Sequence, residues 1–471
     1  MTYNRALRGI FHRLFSPQMV KSYAPIQTYE AKQLSYDLLN NPKDFYKHNR
    51  RYATSFVLNV TYGKRAPIWE CKEIADIYGC LSRFGRVRRP GSFIVDTFPS
   101  LANNPIYNMF SDWRRVGEDT FKKDSEVFMG FWNDTKERVK DGSAPHCFGK
   151  VFVQSDFEDQ GLDELTCAYT WYTLPPRPVL SVSISDSFSG GFLEGGSETT
   201  SLTMNNCIVG MLSNPSVIQK AHEELDRVVG SSRTPTFEDE PNLPYLRQII
   251  KETLRWRPIN KLGANHYATQ DDWYEGFFIP KGSIVMVNWW ALHYDEKRWR
   301  DPEKFDPDRM EGRTMSAAEE AASGDPMDRS HFSYGGGRRI CPGTFPQLYH
   351  LHSHPRAPPG SLSLLHFQNS ANFLQGMHIA ERSLFLNLSR LLWGFNIEHD
   401  KDSQGNIIPV DYTLETGIMP GGFTVPKPFA ARITVRSPER AKILRQQWEV
   451  AQKTGVDFSD ITFDKVGNVK M

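Results

Sequence analysis

A single cysteine follows a run of glycines and arginines in HFSYGGGRRICPG, residues 331–343. The glycines at positions 335–337 allow a tight turn and a close approach to a flat ligand, because glycine has no Cβ atom. Backbone N–H groups of such a loop can donate to a Cys341 thiolate and tune its basicity. Arg339 offers a forked guanidinium that suits a carboxylate. The alternatives are a buried free cysteine and a phosphate-binding loop, which is disfavoured because GxxxxGK[ST] is absent.

A second chemical pattern is GGSETTS, residues 195–201. Gly195 and Gly196 remove side-chain bulk from a predicted helix, which can bend or open a hydrogen bond at that point. Glu198 and Thr199 place an acid beside an alcohol, and a hydroxyl beside a carboxylate can relay protons. The alternative interpretation is a helix-packing notch next to a solvated Glu198.

A third pattern is the spacing of Glu252 and Arg255 in LPYLRQIIKETLRWRP, residues 243–258. Residues three apart share one face of a helix. Taken alone, the pair fits a surface ion pair, which contributes well under about 1 kcal/mol. His266 is a lone histidine, for which a structural role and a ligand contact are both open.

Together these motifs resemble the cytochrome P450 superfamily, in its filamentous-fungal microsomal form. The signature aromatic-x-x-Gly-x-Arg-x-Cys-x-Gly falls on Tyr334, Gly337, Arg339, Cys341 and Gly343, with tyrosine where phenylalanine is usual. The resemblance covers nearly all of the chain from residue 5 onward, outside two divergent stretches. It implies a mainly α fold with a small β region, as one haem-thiolate domain over residues 1–471 that is incomplete at its N-terminus.

The resemblance also implies a set of site residues. Haem b would be bound through iron by the Cys341 thiolate, which favours O–O bond cleavage. Thr199 and Glu198 would relay protons. The remaining roles are cofactor contact at Gly337 and Gly195, haem propionate binding by Arg339 and His266, and a buried structural triad of Glu252, Arg255 and Arg309 from FDPDRM, residues 305–310.

The activity implied is monooxygenation of an apolar small molecule in fungal-type secondary metabolism. Molecular oxygen and NADPH-cytochrome P450 reductase would be its partners. Two alternatives are a truncated or mis-spliced relative that cannot bind haem and an isomerase or dehydratase that uses no oxygen, although Thr199 argues against the latter. The family location is the endoplasmic reticulum membrane. No run of about 18 apolar residues predicts an anchor, which leaves a cytoplasmic location open.

Composition fits an ordinary globular protein. The chain has 471 residues and a formal net charge of +1, which argues against a nucleic-acid partner. Its six cysteines include no CxxC pair, so a zinc site or redox pair is disfavoured. The family's Trp-x-x-x-Arg propionate motif has no match in the early helix. The apolar loop between Pro90 and Pro105 remains a candidate for bilayer contact.

The helices that must position the motifs are visible as periodic segments. One ends at Asn41–Pro42, a long one covers residues 109–139, and a third ends at Gly230. A fourth starts after Pro244 and must stop near Pro258. The segment at 276–293 predicts a short sheet, and the segment at 377–397 predicts an amphipathic helix.

Two proline- and serine-rich stretches, residues 171–189 and 344–376, interrupt this pattern. Removing the second one joins the cysteine loop directly to the helix that begins near Met377. Removing the first one joins two helical segments, which the prolines at positions 175, 176 and 178 otherwise prevent. We interpret both stretches as inserts foreign to the family, with translated introns as the hypothesis and genuine surface loops as the alternative.

Overall fold

The computed structural model describes residues 17–87, 91–155, 157, 164–169, 192–263, 266–323, 325–336, 340–341, 376–457, 462–463 and 469–470. Within these ranges most residues are helical and the strands are short, so the predicted fold class is confirmed. The chain divides into two compact units. The first lies within residues 1–10, 50–198 and 459–471, and the second within residues 11–49 and 199–458. That the whole chain forms one domain stays a prediction.

The described helices follow in chain order: α1 (Pro17–Ser22), α2 (Ala24–Asn40), α3 (Phe45–Tyr62), α4 (Lys72–Val87), α5 (Ile94–Thr97), α6 (Pro105–Phe110), α7 (Trp113–Lys140), α8 (Phe148–Val153), α9 (Glu164–Tyr169), α10 (Phe192–Ser213), α11 (Ser216–Val228), α12 (Pro244–Trp256), α13 (Trp289–His293), α14 (Ala317–Ala322), α15 (Gly376–Gly394) and α16 (Pro438–Thr454). Short 3-10 helices cover Pro42–Asp44, Pro99–Asn103, Phe237–Asn242, Pro307–Met310 and Pro326–Asp328.

The strands form two-stranded antiparallel sheets. They are β1 (His266–Tyr267), β2 (Asp272–Tyr274), β3 (Phe277–Ile279), β4 (Ile284–Val285), β5 (Phe395–His399), β6 (Ala431–Val435), β7 (Thr462–Phe463) and β8 (Val469–Lys470). Their pairs are β1 with β4, β2 with β3, β5 with β6, and β7 with β8.

The first unit is organised around the long helix α7. Phe128, Trp132 and Thr135 are buried on one side of it at helical spacing, and this side packs against α4, α8 and α9. The helix starts at Trp113 rather than at Met109, because Ser111 has extended backbone angles that end α6.

The second unit buries α15 against α2, α11, α12 and α16. The prediction of an amphipathic helix is wrong here, because every residue from Ser383 to Gly394 is buried. Helices pack on several sides, so no wide polar face remains. Two of the buried polar side chains donate within the protein: Asn387 to the Ser383 carbonyl, and Arg390 to the hydroxyls of Ser35 and Thr234.

The segment at 276–293 contains β3 and β4, which pair with β2 and β1 rather than with each other, and its last part is the helix α13. The prediction of a sheet up to His293 is therefore wrong. Asn288 caps this helix by accepting a hydrogen bond from the Ala291 N–H, which satisfies a donor at the helix start. The aromatic residues of α13 have strand propensity, but tertiary packing decides their conformation.

The other predicted helix ends agree with the structure. The helix α2 ends at Asn40, α11 ends two residues before Gly230, and α12 ends at Trp256. Gly230 has a φ of +73°, the left-handed conformation that glycine adopts after a helix. No helix in the part of the chain that the structure describes is long and apolar enough to cross a membrane.

Candidate active site

The described part of the cysteine loop is a tight turn. Gly335 has a φ of +78° and its N–H donates to the Phe332 carbonyl at 2.7 Å. The Cys341 N–H donates to the Tyr334 carbonyl at 2.5 Å, which brings the cysteine back beside the start of the turn. The predicted cofactor residues Gly337 and Arg339 lie outside the described residues.

The Cys341 side chain is chemically suited to a metal ligand. Burial raises the pKa of its thiol to about 12. A free nucleophilic cysteine needs the opposite, a pKa lowered by a positive neighbour. A metal ion bound to the sulfur deprotonates a thiol outright. Cys341 would therefore become a thiolate when a cofactor that contains a metal ion binds its sulfur.

The beginning of the loop is tied to a buried ion pair. Both oxygens of Glu320 accept hydrogen bonds from Ser330, and the bond from the Ser330 N–H is 2.8 Å long. Lys251 donates to the Glu320 carboxylate and, at 3.2 Å, to the Ser330 hydroxyl. The Ser333 hydroxyl donates to the Leu254 carbonyl on α12. These bonds fix the segment that leads to the glycines.

The predicted triad is buried, so the interpretation as a surface ion pair is wrong. Arg255 donates to both oxygens of Glu252, at 2.7 and 2.8 Å, and both side chains are 0% exposed. Arg309 Nε donates to Glu252 Oε1 at 3.1 Å. Burial raises the pKa of Glu252, and the two arginines oppose that rise.

The triad holds the chain segment after α13 rather than the cysteine loop itself. Arg255 donates to the Pro302 and His293 carbonyls at 2.9 Å. Arg309 donates to the Arg300 carbonyl at 2.6 Å. The connection to the cysteine loop passes through His293, whose Nε2 accepts a hydrogen bond of 2.6 Å from the Phe332 N–H.

The predicted acid Glu198 belongs to the first unit. It forms an ion pair with Arg50 of α3, with 2.8 Å between Oε1 and Nη2. Tyr78 of α4 lies next to this pair, and its pKa is raised well above the usual value, first by burial and then by the Glu198 charge. The interpretation of Glu198 as a merely solvated residue is therefore wrong.

The helix α10 carries the remaining residues of this motif. It is helical throughout, including Gly195 and Gly196. A Cβ atom on Gly196 would lie 2.5 Å from Val57 Cγ2, so this glycine does form a packing notch. Thr199 is partly exposed, and its carbonyl accepts a hydrogen bond of 2.9 Å from the Thr203 hydroxyl.

His266 lies on β1 of the second unit, in register with Val285 of β4. Its role in propionate binding stays a prediction. The sequence interpretation missed His293, Glu320 and Arg50. Their signals were weak, because each acts through a partner at least 10 residues away in the chain, up to 148 residues for Arg50.

Comparisons with known proteins agree on one family. A family model described as Cytochrome P450 matches residues 187–345. Cytochrome P450 monooxygenase verL of Clonostachys rogersoniana is 36% identical over 455 residues, which cover 96% of this chain and 74% of the relative. Cytochrome P450 monooxygenase virE of Hypocrea virens is 33% identical over 448 residues, covering 94% of this chain and 71% of the relative.

Solved structures share the fold. A zebrafish cytochrome P450 solved with abiraterone aligns with a TM-score of 0.59 at 18% identity, over 93% of this chain and 82% of that chain. A second one, solved with progesterone, aligns with a TM-score of 0.55 at 20% identity, over 92% and 82%.

Proposed function

The chain belongs to the cytochrome P450 family, and on that premise we propose that Cys341 is the cysteine that binds its haem iron. The protein is a haem-thiolate monooxygenase, and its cofactor is haem b with iron bound by a cysteine thiolate. The comparisons give no support to a relative that has lost its haem. The assignment of Cys341 rests on its place in the signature and on its position after the glycine turn at Gly335.

Other cysteines fit this role less well. Cys80, Cys147, Cys167 and Cys207 are buried in or beside helices. The Cys147 sulfur accepts a hydrogen bond from the Lys150 N–H and so caps α8. Of the described cysteines, Cys341 alone follows a glycine turn.

When bound, haem with a thiolate ligand supplies the chemistry that cleaves the O–O bond. The protein side chains supply the protons. We assign Thr199 Oγ1 as the group that gives a proton on the oxygen-binding side, and Glu198 as the acid that restores it. The Glu198 side chain is 24% exposed, and its Oε1 is paired with Arg50.

The haem propionates would be held by Arg339 and His266. A guanidinium fork matches a carboxylate with two parallel hydrogen bonds. Gly337 and Gly195 would allow the backbone to approach the flat cofactor closely, since neither carries a Cβ atom. These four roles rest on sequence position.

A monooxygenase of this family uses molecular oxygen, a redox partner and a small-molecule substrate. We propose that the redox partner is NADPH-cytochrome P450 reductase and that the substrate is apolar. A place in fungal-type secondary metabolism follows from the similarity to monooxygenases of Clonostachys and Hypocrea.

For the location we propose the surface of the endoplasmic reticulum membrane. Apolar side chains of α5, of α6 and of Phe98, which follows α5, are exposed in the first unit: Ile94, Phe98, Ile106, Met109 and Phe110, the last at 85%. Such a patch is unusual in water and suits a bilayer interface.

Vesicle co-sedimentation tests whether this patch binds a membrane. Replacing Phe98 and Phe110 by serine is expected to abolish binding, whereas Phe277→Ser, an exposed position on β3, is expected to preserve it. Absence of binding by the unchanged protein would leave a cytoplasmic location.

We also propose that residues 171–189 and 344–376 are translated introns. The family match begins at residue 187 and stops at residue 345, at the edges of these stretches. Residues 171–189 and 344–375 lie outside the described residues; α10 begins at Phe192, and α15 begins at Gly376, the last residue of the second stretch. Sequencing the mature transcript across both junctions tests this. A message that retains both stretches would contradict it.

The relay is tested with Thr199→Ala in the holoprotein, reconstituted with the reductase. Loss of the hydroxyl is expected to divert electrons to hydrogen peroxide and to lower product formation by roughly 10²-fold. Thr200→Ala, the neighbouring position on α10, is the matched control and should couple normally. Equal peroxide yields from both variants would contradict the role of Thr199.

A further inference from the structure

We propose that the short helix α13 is a clamp for the cysteine loop, and that His293 is the positioning residue through which it orients Cys341. This rests on the proposed function, because Cys341 is taken as the ligand of the haem iron. The clamp is defined as Trp289 and His293 acting on Phe332. All of its residues belong to the second unit.

The two clamp residues of α13 contact Phe332 from the same face of the helix. Trp289 and His293 are four residues apart on α13, so they lie on the same face. The Phe332 ring stacks on Trp289 with 5.4 Å between centroids and 14° between planes. It stacks on His293 at 6.0 Å and 25°. Phe332 is therefore held by two aromatic surfaces at once.

A hydrogen bond from the Phe332 backbone to His293 restrains Phe332 in addition to the stacking. The Phe332 N–H donates to His293 Nε2 at 2.6 Å. Because Nε2 accepts, the imidazole is neutral and carries its proton on Nδ1. Burial lowers the pKa of His293 well below its usual value, and repulsion from His331 and Arg255 adds to this. The acceptor is thus present at neutral pH.

Two arginines also lie against the Phe332 ring. The Cζ atoms of Arg298 and Arg329 lie 5.5 and 5.4 Å from its centroid, within the range of a cation–π contact. Arg329 also donates to the Gly335 carbonyl at 2.8 Å. The same group that covers Phe332 therefore holds the glycine turn.

The clamp reaches the turn directly through Trp289. A Cβ atom on Gly336 would lie 3.1 Å from Trp289 Cη2. A Cβ atom on Gly263 would lie 2.2 Å from Trp289 Nε1, so the indole is confined from that direction as well. The confined indole therefore lies directly against Gly336 of the turn.

The path from the clamp to the cysteine is short. The Phe332 carbonyl accepts from the Gly335 N–H, and the Tyr334 carbonyl accepts from the Cys341 N–H. On the other side, the His293 carbonyl accepts from Arg255 of the triad at 2.9 Å. His293 therefore connects the buried triad to the loop that carries the cysteine. Its backbone carbonyl accepts from Arg255, and its imidazole accepts from the Phe332 N–H.

Removing the imidazole leaves the Phe332 N–H buried without an acceptor, and that cost favours an open loop. His293→Ala is the disruptive variant. His293→Gln offers an amide oxygen as a replacement acceptor. The control is His222→Ala on α11, because His222, although only partly buried, is likewise a neutral histidine with a backbone partner, the Phe395 carbonyl at 3.2 Å.

The experiment combines two readouts on the full chain expressed with haem supplied. The first is the rate at which the reduced, carbon-monoxide-bound protein loses its thiolate-type Soret band. We expect a rate about 5- to 30-fold higher for His293→Ala, and near that of the unchanged protein for His293→Gln and His222→Ala. The second is amide hydrogen exchange of residues 330–336, which needs no haem. Exchange should rise in His293→Ala only.

The outcomes separate the clamp from the proposed ligand. Unchanged exchange and an unchanged spectrum in His293→Ala would overturn the clamp while leaving Cys341 as the ligand. An equal effect of His222→Ala would reduce His293 to a general stability role and also overturn it. Absence of a thiolate-type band in the unchanged protein would overturn the proposed function, and with it the clamp's role in orienting a ligand.

Discussion

The guanidinium of Arg50 donates a hydrogen bond of 2.8 Å to Oε1 of Glu198, so the acid beside Thr199 is held by a partner on another helix. The two residues are 148 positions apart in the chain. Both side chains are partly exposed, so the pair contributes little to stability. Its consequence is positional, because it restrains the carboxylate that the proposed relay needs.

We therefore expect Arg50→Ala to impair proton delivery without destabilising the protein. Product formed per NADPH should fall by about 1.4- to fivefold, in line with a partly exposed ion pair worth roughly 0.2–1 kcal/mol. The measurement is coupling in the reductase-reconstituted holoprotein. Lys47→Ala, at an exposed ion pair on the same helix, is the control. Unchanged coupling in Arg50→Ala would show that the ion pair plays no part.

Glu252→Gln should destabilise the protein strongly. It removes the charge that Arg255 and Arg309 face in a fully buried site, and breaking such a pair costs roughly 3–5 kcal/mol. The free energy of unfolding by urea measures this. Glu398→Gln, at the exposed pair with Arg432, should change it by less than about 1 kcal/mol. Similar losses in both variants would contradict the burial argument.

Acid should destabilise the fold through the buried His331. Burial lowers the pKa of His331 to about 3, against 6.5 for an unburied histidine. Below pH 6.5 the unfolded state then binds more protons than the folded state, so stability falls as the pH drops from about 6.5 towards 3. Each such histidine contributes a slope of about 1.4 kcal/mol per pH unit. The slope is measured by urea unfolding between pH 7 and pH 4.5.

The matched variant is His331→Asn, because its amide oxygen can accept the bond that the Ser333 N–H now makes to Nδ1 at 3.3 Å. Because asparagine does not ionise, the slope of stability against pH should be smaller in the variant by about 1.4 kcal/mol per pH unit. A slope equal to that of the unchanged protein would mean that His331 does not stay neutral in the fold.

The carboxyl of Glu381 on α15 should make the protein less stable as the pH rises, which is the opposite of the effect of His331. Burial raises the pKa of its carboxyl to about 7, although the Ala317 N–H donates to it at 3.0 Å. A raised folded pKa means that its favourable contribution is present below about 4.5 and is lost as the pH rises through 7. Glu381→Gln should therefore stabilise the protein at pH 8 more than at pH 5. Equal effects at both pH values would contradict the raised pKa.

Local spacing was enough to predict some of the site. Glu252 and Arg255 follow from a helical i, i+3 pair, and the helices α2, α11 and α12 follow from periodicity and end signals. The clamp helix α13 was missed, since WWALH has no helical period to read and its cap, Asn288, was overlooked. The partners Arg50 and Glu320 could not be predicted, because contacts over 148 and 69 residues depend on tertiary packing. Packing on several sides also explains why α15 lacks an amphipathic pattern of burial.

The central claim is that Cys341 binds the haem iron as a thiolate. The most direct test is the absorbance spectrum of the reduced, carbon-monoxide-bound chain, expressed with haem supplied, beside Cys341→Ser and the control Cys71→Ala. The account predicts a red-shifted, thiolate-type Soret band for the unchanged protein and for Cys71→Ala, and its loss in Cys341→Ser. A band typical of a neutral ligand in the unchanged protein, or a thiolate-type band that survives Cys341→Ser, would contradict it.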